Sequence, residues 1–568
     1  MAGSSPAMTG REWLGQFSRK SAWLIRKPHG GTPFSTRRKD DSMRHHILIG
    51  LVAAALWSGA AGAETLLSRG NGGQPETLDV HKSVGIPEAW IELDLFEGLL
   101  APGPKGELVP GAAESWTVSD DGKTYTFRLR ADGRWSDGSP VTAQDFVYSW
   151  RRLVDPKTAA PYAYFLDRIV GAKEVRLGQK PAEALGVRAV DDRTLEVSLL
   201  GPTSYFLSML VNNSTFPVNR ANVEAFGAAF ARPGNLVSNG AYVLAEDVPQ
   251  SHMTLRKNPQ FHDAASVKID TVRYVVTEDV DSELARFKAG ELDVTTEVPS
   301  QQVPALRQSN AAELHIAPYL GIYFYAINLN HEPWKSSPEL RRALSLAVDR
   351  EIIIDKVARG NQTAAYSFVP PGTSGFPAWQ PEEAGWTQER RDQEAKALLA
   401  KAGYGPGKPL QVKITYNTSE NHKKIAVAIA AMWKQKLGVD TVLENLEWST
   451  YLTQHHQKQF QDFARTGWIG QYDDANFFLE LQRSGIGELS TSDYSNPAYD
   501  SLLDQASAET DAAKRAAILQ RAERLMIADT PVIPIFFYTS RHLVSPAVKG
   551  WADNLRDQHP TRWLSVER

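Results

Sequence analysis

The 568-residue sequence contains no cysteine. This excludes disulfide frameworks, thiolate metal sites, cysteine nucleophiles and lipid anchors attached to cysteine. A strong excess of one charge is also absent, because the net charge is −4 at pH 7, which argues against nucleic acid as the main partner. The composition, with 42% hydrophobic and 23% charged residues, is that of a folded globular protein. The length predicts several domains rather than one core.

Sequence motifs for catalysis and cofactor binding are missing as well. No G-x-G-x-x-G, G-x-S-x-G or H-E-x-x-H pattern occurs. Gly122-Lys123-Thr124 resembles the end of a phosphate-binding loop, but Thr117 stands where the first glycine is needed. His455 and His456 are adjacent, so on a helix they diverge by about 100 degrees and cannot share a metal ion. The sequence therefore predicts a protein that is not an enzyme and that holds no metal or other cofactor.

Long apolar runs are absent except for one short run near the start. From Met43, a basic segment precedes an apolar stretch that covers residues 47–57, and an A-x-A pattern follows just before Glu64. The stretch is far shorter than the ~20 residues that a membrane-spanning helix needs. We predict that residues 43–63 are a cleaved secretory signal and that residues 1–42 are an over-extended, disordered start. The exported chain is expected in the periplasm, without a lipid anchor.

The remaining sequence alternates between strand and helix patterns. The segment 124–130 (TYTFRLR) alternates apolar and polar residues, and the preceding Asp-Asp-Gly predicts a hairpin turn. The segment 422–437 carries apolar residues at helical spacing and is followed by Gly438, a typical helix end. The segment 530–538 (TPVIPIFFY) has the composition of a buried strand. The fold class predicted from these patterns is mixed α/β (α+β) with several lobes.

Seven segments, in the same order along the chain, resemble the oligopeptide-binding, or family 5, solute-binding proteins of bacterial ABC importers. The most specific segment is WSDGSPVTAQDFVYSW, within residues 133–166. The remaining six segments lie at 78–88, 95–116, 239–244, 340–354, 416–439 and 443–452. The match to the family is collinear and extends over nearly all of residues 64–568. The resemblance implies a two-lobed periplasmic-binding-protein fold with a hinge and an additional third domain.

The resemblance also implies a division of the chain into domains. Lobe I would be discontinuous and lobe II continuous, with the extra domain inserted into lobe I. The expected boundaries are 64–96, 222–322 and 535–568 for lobe I, 97–221 for the extra domain and 323–534 for lobe II. Ligand would bind in the cleft between the lobes and be enclosed when the hinge closes.

A receptor for peptides of many sequences can bind the peptide main chain as an added strand, while roomy, wet pockets accept the side chains. By resemblance, the backbone groups of Gly467 and Ile469, which flank Trp468, offer these hydrogen bonds. The aromatic residues that match the pocket walls of the family are Tyr162, Trp448 and Trp468. Ordinary core packing is an equally good interpretation of each single tryptophan.

The positions expected near the amino terminus of a peptide depart from the family pattern. Gln471 stands where the family usually has an aspartate, and Val84 stands where related proteins often have an acidic residue. Both changes reduce the negative charge around an ammonium group, and a neutral amide accepts a weaker hydrogen bond than a carboxylate does. Either Asp473 or Asp474 substitutes for the missing carboxylate, or the ligand lacks a conventional free amino terminus.

The opposite end of a peptide carries a carboxylate. Arg465 and His422 match family positions that are used with shorter peptides, whereas His331 and His455 stand where longer peptides meet lysine and arginine. Histidine is only partly charged at neutral pH. We therefore expect short ligands and tighter anion binding in mildly acidic conditions. A solvated surface position is the competing interpretation of His422 and His455.

These observations predict a non-catalytic periplasmic receptor that captures short peptides or peptide-like ligands. It would act as a monomer and deliver its ligand to ABC permease subunits in the inner membrane. A competing hypothesis keeps the fold and changes the ligand to a murein peptide, an opine-like conjugate or a metal chelate. Two further hypotheses change the function itself, to an extracellular hydrolase or to a chaperone-like holder of unfolded chains.

Overall fold

The computed structural model describes residues 64–568. The predicted signal (43–63) and the predicted over-extended start (1–42) lie outside the described residues. Within residues 64–568, none of the helices combines the length and the apolar character that are needed to span a bilayer. The described chain mixes helices with several sheets, which confirms the predicted fold class.

The strands of the described residues are β1 (Leu66–Gly72), β2 (Leu100–Pro102), β3 (Leu108–Pro110), β4 (Ala113–Val118), β5 (Thr124–Leu129), β6 (Val187–Asp191), β7 (Thr194–Ser198), β8 (Tyr242–Val248), β9 (His252–Lys257), β10 (Thr271–Val276), β11 (Leu314–Ile327), β12 (Thr363–Ala364), β13 (Gln411–Asn417), β14 (Asp440–Leu446), β15 (Phe463–Ile469), β16 (Val532–Leu543), β17 (Val548–Lys549) and β18 (Ser565–Val566). The helices are α1 (Ile86–Leu95), α2 (Ala143–Val154), α3 (Ala172–Arg176), α4 (Phe206–Met209), α5 (Arg220–Phe226), α6 (Val280–Lys288), α7 (Val303–Ser309), α8 (Pro338–Ala347), α9 (Arg350–Ile352), α10 (Gln388–Lys401), α11 (Glu420–Leu437), α12 (Trp448–His456), α13 (Ala475–Leu479), α14 (Pro497–Ala508) and α15 (Ala512–Asp529).

Two four-stranded sheets are built from the first half of the chain. The order of the first is β1-β10-β9-β8, with β1 parallel to β10 and the other pairs antiparallel. The order of the second is β4-β5-β7-β6, and all its pairs are antiparallel. The predicted hairpin turn lies between β4 and β5, where Gly122 adopts a positive φ of 68° that suits a residue without a side chain. β1 pairs with a strand about 200 positions later, whereas the strands of the second sheet all lie within residues 113–198.

A six-stranded sheet has the order β12-β16-β11-β15-β13-β14. Its two longest strands, β11 and β16, run antiparallel from Leu314 opposite Leu543 to Ala326 opposite Val532. Their pairing is interrupted between Pro318 and Ile322, where β11 contains extra residues and forms a bulge. β16 extends beyond the predicted segment 530–538 because its second half pairs with the start of β11.

The predicted boundaries of lobe II, at 322/323 and 534/535, fall inside β11 and β16 rather than in loops. The remaining boundaries fall between strands of different sheets, at 96/97 after α1 and at 221/222 within α5. The six-stranded sheet therefore receives two strands that begin or end in predicted lobe I. The division into lobes and an extra domain stays a prediction.

Packing against the six-stranded sheet follows the sequence pattern. α11 buries Ile425, Ile429 and Trp433, and it ends at Gly438, which adopts a left-handed conformation as the sequence predicted. A different cluster of buried hydrophobic residues, the largest in residues 64–568, joins residues within 99–211 to residues within 320–537. In this cluster Tyr205 stacks on Tyr472, with ring centroids 5.6 Å apart. The apolar core of the predicted extra domain is therefore continuous with that of predicted lobe II.

The segment after β15 is fixed by a buried ion pair. Arg515 of α15 donates two hydrogen bonds to Asp474, at 2.9 and 2.7 Å. Only 11% of the Arg515 side chain and 9% of the Asp474 side chain are exposed. Asp474 also accepts a hydrogen bond from the backbone N–H of Asn476 and so caps α13.

Replacing Arg515 by methionine leaves Asp474 buried without its counter-charge. We expect the free energy of unfolding to fall by about 3–5 kcal/mol, the range found when one partner of a buried ion pair is removed. Urea unfolding measures the change. Lys434→Met is the matched control, because the Lys434–Asp440 pair is exposed and contributes at most about 1 kcal/mol. Equal effects of the two substitutions would contradict the prediction.

Candidate ligand-binding site

One edge of β15 is paired and the other is free. On the paired side, Gly470 N–H donates to Leu320 O at 2.7 Å, and Asn328 N–H donates to Asp462 O at 2.9 Å. Since residues of an antiparallel ladder alternate in the direction of their backbone groups, the odd-numbered residues of β15 direct theirs away from β11. Gly467 and Ile469 are two of these residues.

On the free side, β13 pairs with β15 only at Phe463 and Ala464. The next outward carbonyl, that of Arg465, accepts a hydrogen bond from the Tyr451 hydroxyl. Beyond it, the N–H and C=O groups of Gly467 and Ile469 have no strand beside them within residues 64–568. The edge can therefore pair with an added extended chain.

A cavity of about 240 Å³ lies beside the end of this edge. It is lined by six separate parts of the chain: the segment before and within α1, Tyr162, the turn at 212–214, Tyr319 in β11, the end of β15 with the two residues after it, and the segment 556–558. Four of the predicted site residues line it, namely Val84, Tyr162, Ile469 and Gln471. The Tyr162 hydroxyl donates to the Val84 carbonyl oxygen at 3.4 Å, which joins Tyr162 to the segment before α1.

The amide of Gln471 is held by the protein itself. Its Oε1 accepts a hydrogen bond from Asn212 Nδ2 at 3.0 Å. Asp473 does not line the cavity, because its Oδ1 accepts from Ser374 N–H at 2.8 Å, and Asp474 pairs with Arg515. The structure therefore brings neither aspartate to the place that Gln471 occupies.

A different acid, Glu92, lines the same cavity. Glu92 is fully buried, and its Oε2 accepts hydrogen bonds from Ser83 Oγ at 3.1 Å and from Asn213 Nδ2 at 3.0 Å. Its Oε1 has no hydrogen-bond partner among the described residues. Burial, reinforced by the nearby carboxylates of Glu88 and Asp79, raises the pKa of Glu92 to about 8.

Sequence reasoning missed Glu92, since the family resemblance directed attention to Val84 and Gln471. The signal was its place in the helix sequence IPEAWIELDL. Glu92 directly follows Ile91, lies three residues before Leu95, and both of these residues are fully buried. An acid inside such an apolar stretch is unusual, because a buried carboxylate is costly without a partner.

A second, larger cavity of about 580 Å³ lies on the other side of the strand end. Tyr164, Phe165 and Tyr205 line it from one side, and Trp468 and Phe477 line it from the other. The Trp468 ring stacks on Phe477 at 5.7 Å, and its buried Nε1 has no hydrogen-bond partner among the described residues. Because successive side chains of a strand point to opposite faces, Trp468 and Ile469 face different cavities.

Arg465 lies on the same strand and carries a positive charge that no carboxylate of residues 64–568 neutralises. Its guanidinium donates to Tyr538 Oη at 3.3 Å and to Asn417 Oδ1 at 3.4 Å, and it lies over the ring of Tyr323 at 4.9 Å. Its buried Nε has no hydrogen-bond partner in this part of the chain. These neutral neighbours position the guanidinium without neutralising it, so the group can bind an anion.

Sequence comparison identifies the family. A model of the bacterial extracellular solute-binding proteins, family 5, matches residues 107–488. The chain belongs to this family. Among its relatives, the periplasmic oligopeptide-binding protein OppA of Escherichia coli (strain K12) is 43% identical over 488 residues, which cover 85% of this chain and 89% of the relative.

Solved structures of family 5 proteins have the same fold. The unliganded open form of the periplasmic murein tripeptide binding protein MppA is 39% identical, with a TM-score of 0.78, and the match covers 89% of this chain and 98% of MppA. The OppA of Haemophilus influenzae in complex with RPPGFSPFR is 37% identical, with a TM-score of 0.76, and the match covers 89% of this chain and 100% of that chain. The resemblance and the periplasmic-binding-protein fold inferred from the sequence are confirmed.

Two of the histidines that the family 5 resemblance pointed to are neutral in this environment. His422 Nδ1 lies 3.3 Å from the Tyr323 hydroxyl, and burial together with the charge of Arg465 lowers the pKa of His422 to about 3. His455 is buried, its Nε2 lies 3.0 Å from Thr466 Oγ1, and burial lowers its pKa to about 3. The expectation of tighter anion binding in mildly acidic conditions is therefore wrong for these two residues, and His455 is not a solvated surface residue.

Of the other two residues that family 5 positions suggested, one lies near the free edge and one does not. Trp448 is 50% exposed at the start of α12 and stacks on Tyr451, which holds the Arg465 carbonyl. His331 is exposed and follows the end of β11 that is remote from Gly321, the residue paired with Ile469. The structure places His331 outside both cavities.

A cluster of His542, Asp557 and His559 lies next to the smaller cavity, which Asp557 lines. Their ligand atoms lie within 4.8 Å of one another, an arrangement that can hold a metal ion. The three side chains are also hydrogen-bonded to one another, because Asp557 Oδ1 lies 2.8 Å from His542 Nε2 and 3.1 Å from His559 Nε2. Burial opposes the ionisation of Asp557, but the two histidines outweigh it and lower the pKa of Asp557.

The neutral state of His455 makes stability depend on pH. The unfolded chain binds a proton at this residue below its ordinary pKa of about 6.5, whereas the folded chain does not until about pH 3. Acidification therefore destabilises the protein in this range. We expect His455→Gln, which keeps a hydrogen-bonding group near Thr466, to lose about 2 kcal/mol less unfolding free energy than the wild type between pH 7 and pH 5.

Urea unfolding at the two pH values measures this difference. The matched control is His456→Gln, since His456 is the exposed neighbour of His455. The control is expected to lose as much stability as the wild type. An identical pH dependence for His455→Gln and the wild type would show that folding does not keep His455 neutral.

Proposed function

We propose that this protein is a non-catalytic periplasmic receptor that captures short peptides or peptide-like ligands in its cleft and delivers them, as a monomer, to the permease of an ABC importer. The observation that carries the proposal is the unpaired edge of β15 at Gly467 and Ile469, with a cavity on each side of its end. The names of the relatives, OppA and MppA among them, support the same class of ligand and the same location.

Main-chain pairing explains how one receptor accepts many peptides. Every peptide presents the same N–H and C=O groups, so an extended ligand can add to the edge of β15 whatever its sequence. The cavities on either side then accept side chains from alternate positions of the ligand. Tyr162 and Trp468 provide aromatic walls, one in each cavity.

Arg465 is proposed to bind the ligand carboxylate. The residue precedes Gly467 by two positions, roughly 7 Å along the strand. A ligand that pairs with Gly467 and Ile469 therefore brings its carboxylate to the guanidinium after only a few residues. The ligand carboxylate neutralises the charge of the guanidinium, which has only neutral neighbours in the free protein. Ligands short enough to place their carboxylate at Arg465 are therefore favoured.

The competing ligand classes would occupy the same site and differ in mass. A murein-type peptide is favoured among them, because a periplasmic murein peptide-binding protein, MppA, is 41% identical to this chain. Native mass spectrometry of the purified protein would weigh a co-purified ligand and so separate a peptide from an opine-like conjugate or a metal chelate. Loss of an added peptide over time, instead of its stable retention, would support a hydrolase.

Replacing Arg465 by methionine tests the proposed function. Calorimetry with alanine peptides of two to five residues is expected to show binding to the wild type, with the short peptides preferred. The variant should bind peptides with a free carboxylate at least about tenfold more weakly, since a charge-assisted bond is lost. Peptides with an amidated carboxyl terminus should bind both proteins equally. Equal weakening for both ligand types would overturn the role of Arg465, and failure of every peptide to bind the wild type would overturn the proposed function.

A further inference from the structure

Glu92 is a carboxyl group that the protein holds by only one of its two oxygens. Ser83 and Asn213 hold its Oε2, while Oε1 has no partner among the described residues and the side chain borders the cavity next to Gln471. Glu92 forms no ion pair with a lysine or arginine of residues 64–568. A fully buried carboxyl with an unused acceptor atom is a cost to the free protein that a bound donor removes.

Several charged and titratable groups lie near Glu92 and influence its ionisation. Glu88 lies one turn earlier on α1, and Asp79 lies in the preceding loop, and both disfavour its ionised form. Of the other residues that line the cavity, Tyr162, Tyr319, Arg556 and Asp557 carry titratable or charged side chains. Arg556 donates to the backbone carbonyl of Gln471 at 3.2 Å rather than to Glu92. With its pKa raised to about 8, Glu92 is mainly protonated in the free protein at neutral pH.

Other carboxylates near the cavity are already used. Asp557 is hydrogen-bonded to His542 and His559, while Asp473 and Asp474 lie outside the lining. Val84 and Gln471, which also line the cavity, supply no charge. Among the described lining residues, Glu92 is therefore the carboxyl group whose acceptor atom is free for a cationic ligand.

We propose that Glu92 binds the ammonium group of the ligand through Oε1 and determines specificity for a free amino terminus. This inference rests on the proposed function and specifies which end of the peptide the cavity recognises. The ammonium N–H donates to Oε1, the charge on the ligand stabilises the ionised carboxylate, and Glu92 releases its proton to the solvent. Ligand binding at pH 7 is then accompanied by the release of about one proton.

Calorimetry with trialanine and N-acetyl-trialanine tests the proposal. Titrations at pH 7 in phosphate and in Tris, two buffers of different ionisation enthalpy, report the number of protons released. The wild type is expected to prefer trialanine and to release about one proton when it binds. Glu92→Gln should bind trialanine at least about tenfold more weakly with little proton release, and its affinity for N-acetyl-trialanine should stay unchanged.

Glu88→Gln is the matched control, because Glu88 is a buried acid on the same helix whose Oε1 accepts from Glu76 N–H at 2.9 Å. It should keep the preference for trialanine and most of the proton release, because burial raises the pKa of Glu92 more than the charge of Glu88 does. Folding is checked by urea unfolding at pH 7, where Glu92→Gln should raise the midpoint, since it removes an acid whose pKa is raised by folding.

The outcomes separate the two proposals. Equal affinity of the wild type for both peptides, or proton release that persists in Glu92→Gln, would overturn the role of Glu92 and leave the receptor function intact. Absence of binding by either peptide would overturn the receptor function and the role of Glu92 with it. Weaker binding of both peptides to Glu92→Gln would show that Glu92 only supports the shape of the cavity, which also contradicts the proposal.

Discussion

The half-paired state of β15 is the constraint on which the rest of the site depends. Backbone N–H and C=O groups need partners, and on one side β11 supplies them along the whole strand. On the other side β13 diverges after Ala464, so the groups of Gly467 and Ile469 are left to water or to a ligand. β11 is itself paired with β16. The open edge is thus presented by the centre of a sheet and not by a mobile loop.

Two ionisable side chains, Arg465 and Glu92, add charge recognition to the backbone groups of β15. Arg465 is a cation among neutral hydroxyl, amide and aromatic groups, and Glu92 is an acid among amide and hydroxyl groups with like charges nearby. Each group is unfavourable in the free protein, and each becomes favourable opposite a ligand group of the other sign. A zwitterionic guest of short length supplies both, which unites the two proposals in one physical account.

Local features of the fold could be predicted from the sequence, because they depend on neighbours along the chain. The strand beginning at Thr124, the glycine turn before it and the end of α11 at Gly438 belong to this class. The resemblance pointed to a second group of residues, and four of them line one cavity, namely Val84, Tyr162, Ile469 and Gln471.

Properties that depend on burial could not be predicted in this way. The neutral state of His422 and His455 follows from desolvation and the nearby guanidinium, and no pattern in the sequence reports either. The same holds for Glu92, whose free oxygen is visible only once Ser83 and Asn213 are seen to hold the other one. Asp473 shows the reverse error: its place in the sequence is adjacent to the site, but its side chain is turned towards Ser374.

The bulge in β11 lies next to the smaller cavity. Between Pro318 and Ile322 the strand has more residues than the facing part of β16, and within this stretch Tyr319 lines the smaller cavity while Leu320 N–H donates to Leu555 O at 2.7 Å. The hydrogen-bond ladder between β11 and β16 is thus interrupted in this stretch. A molecule in the smaller cavity therefore meets β11, a strand in the middle of the six-stranded sheet, at the point where its pairing with β16 is interrupted.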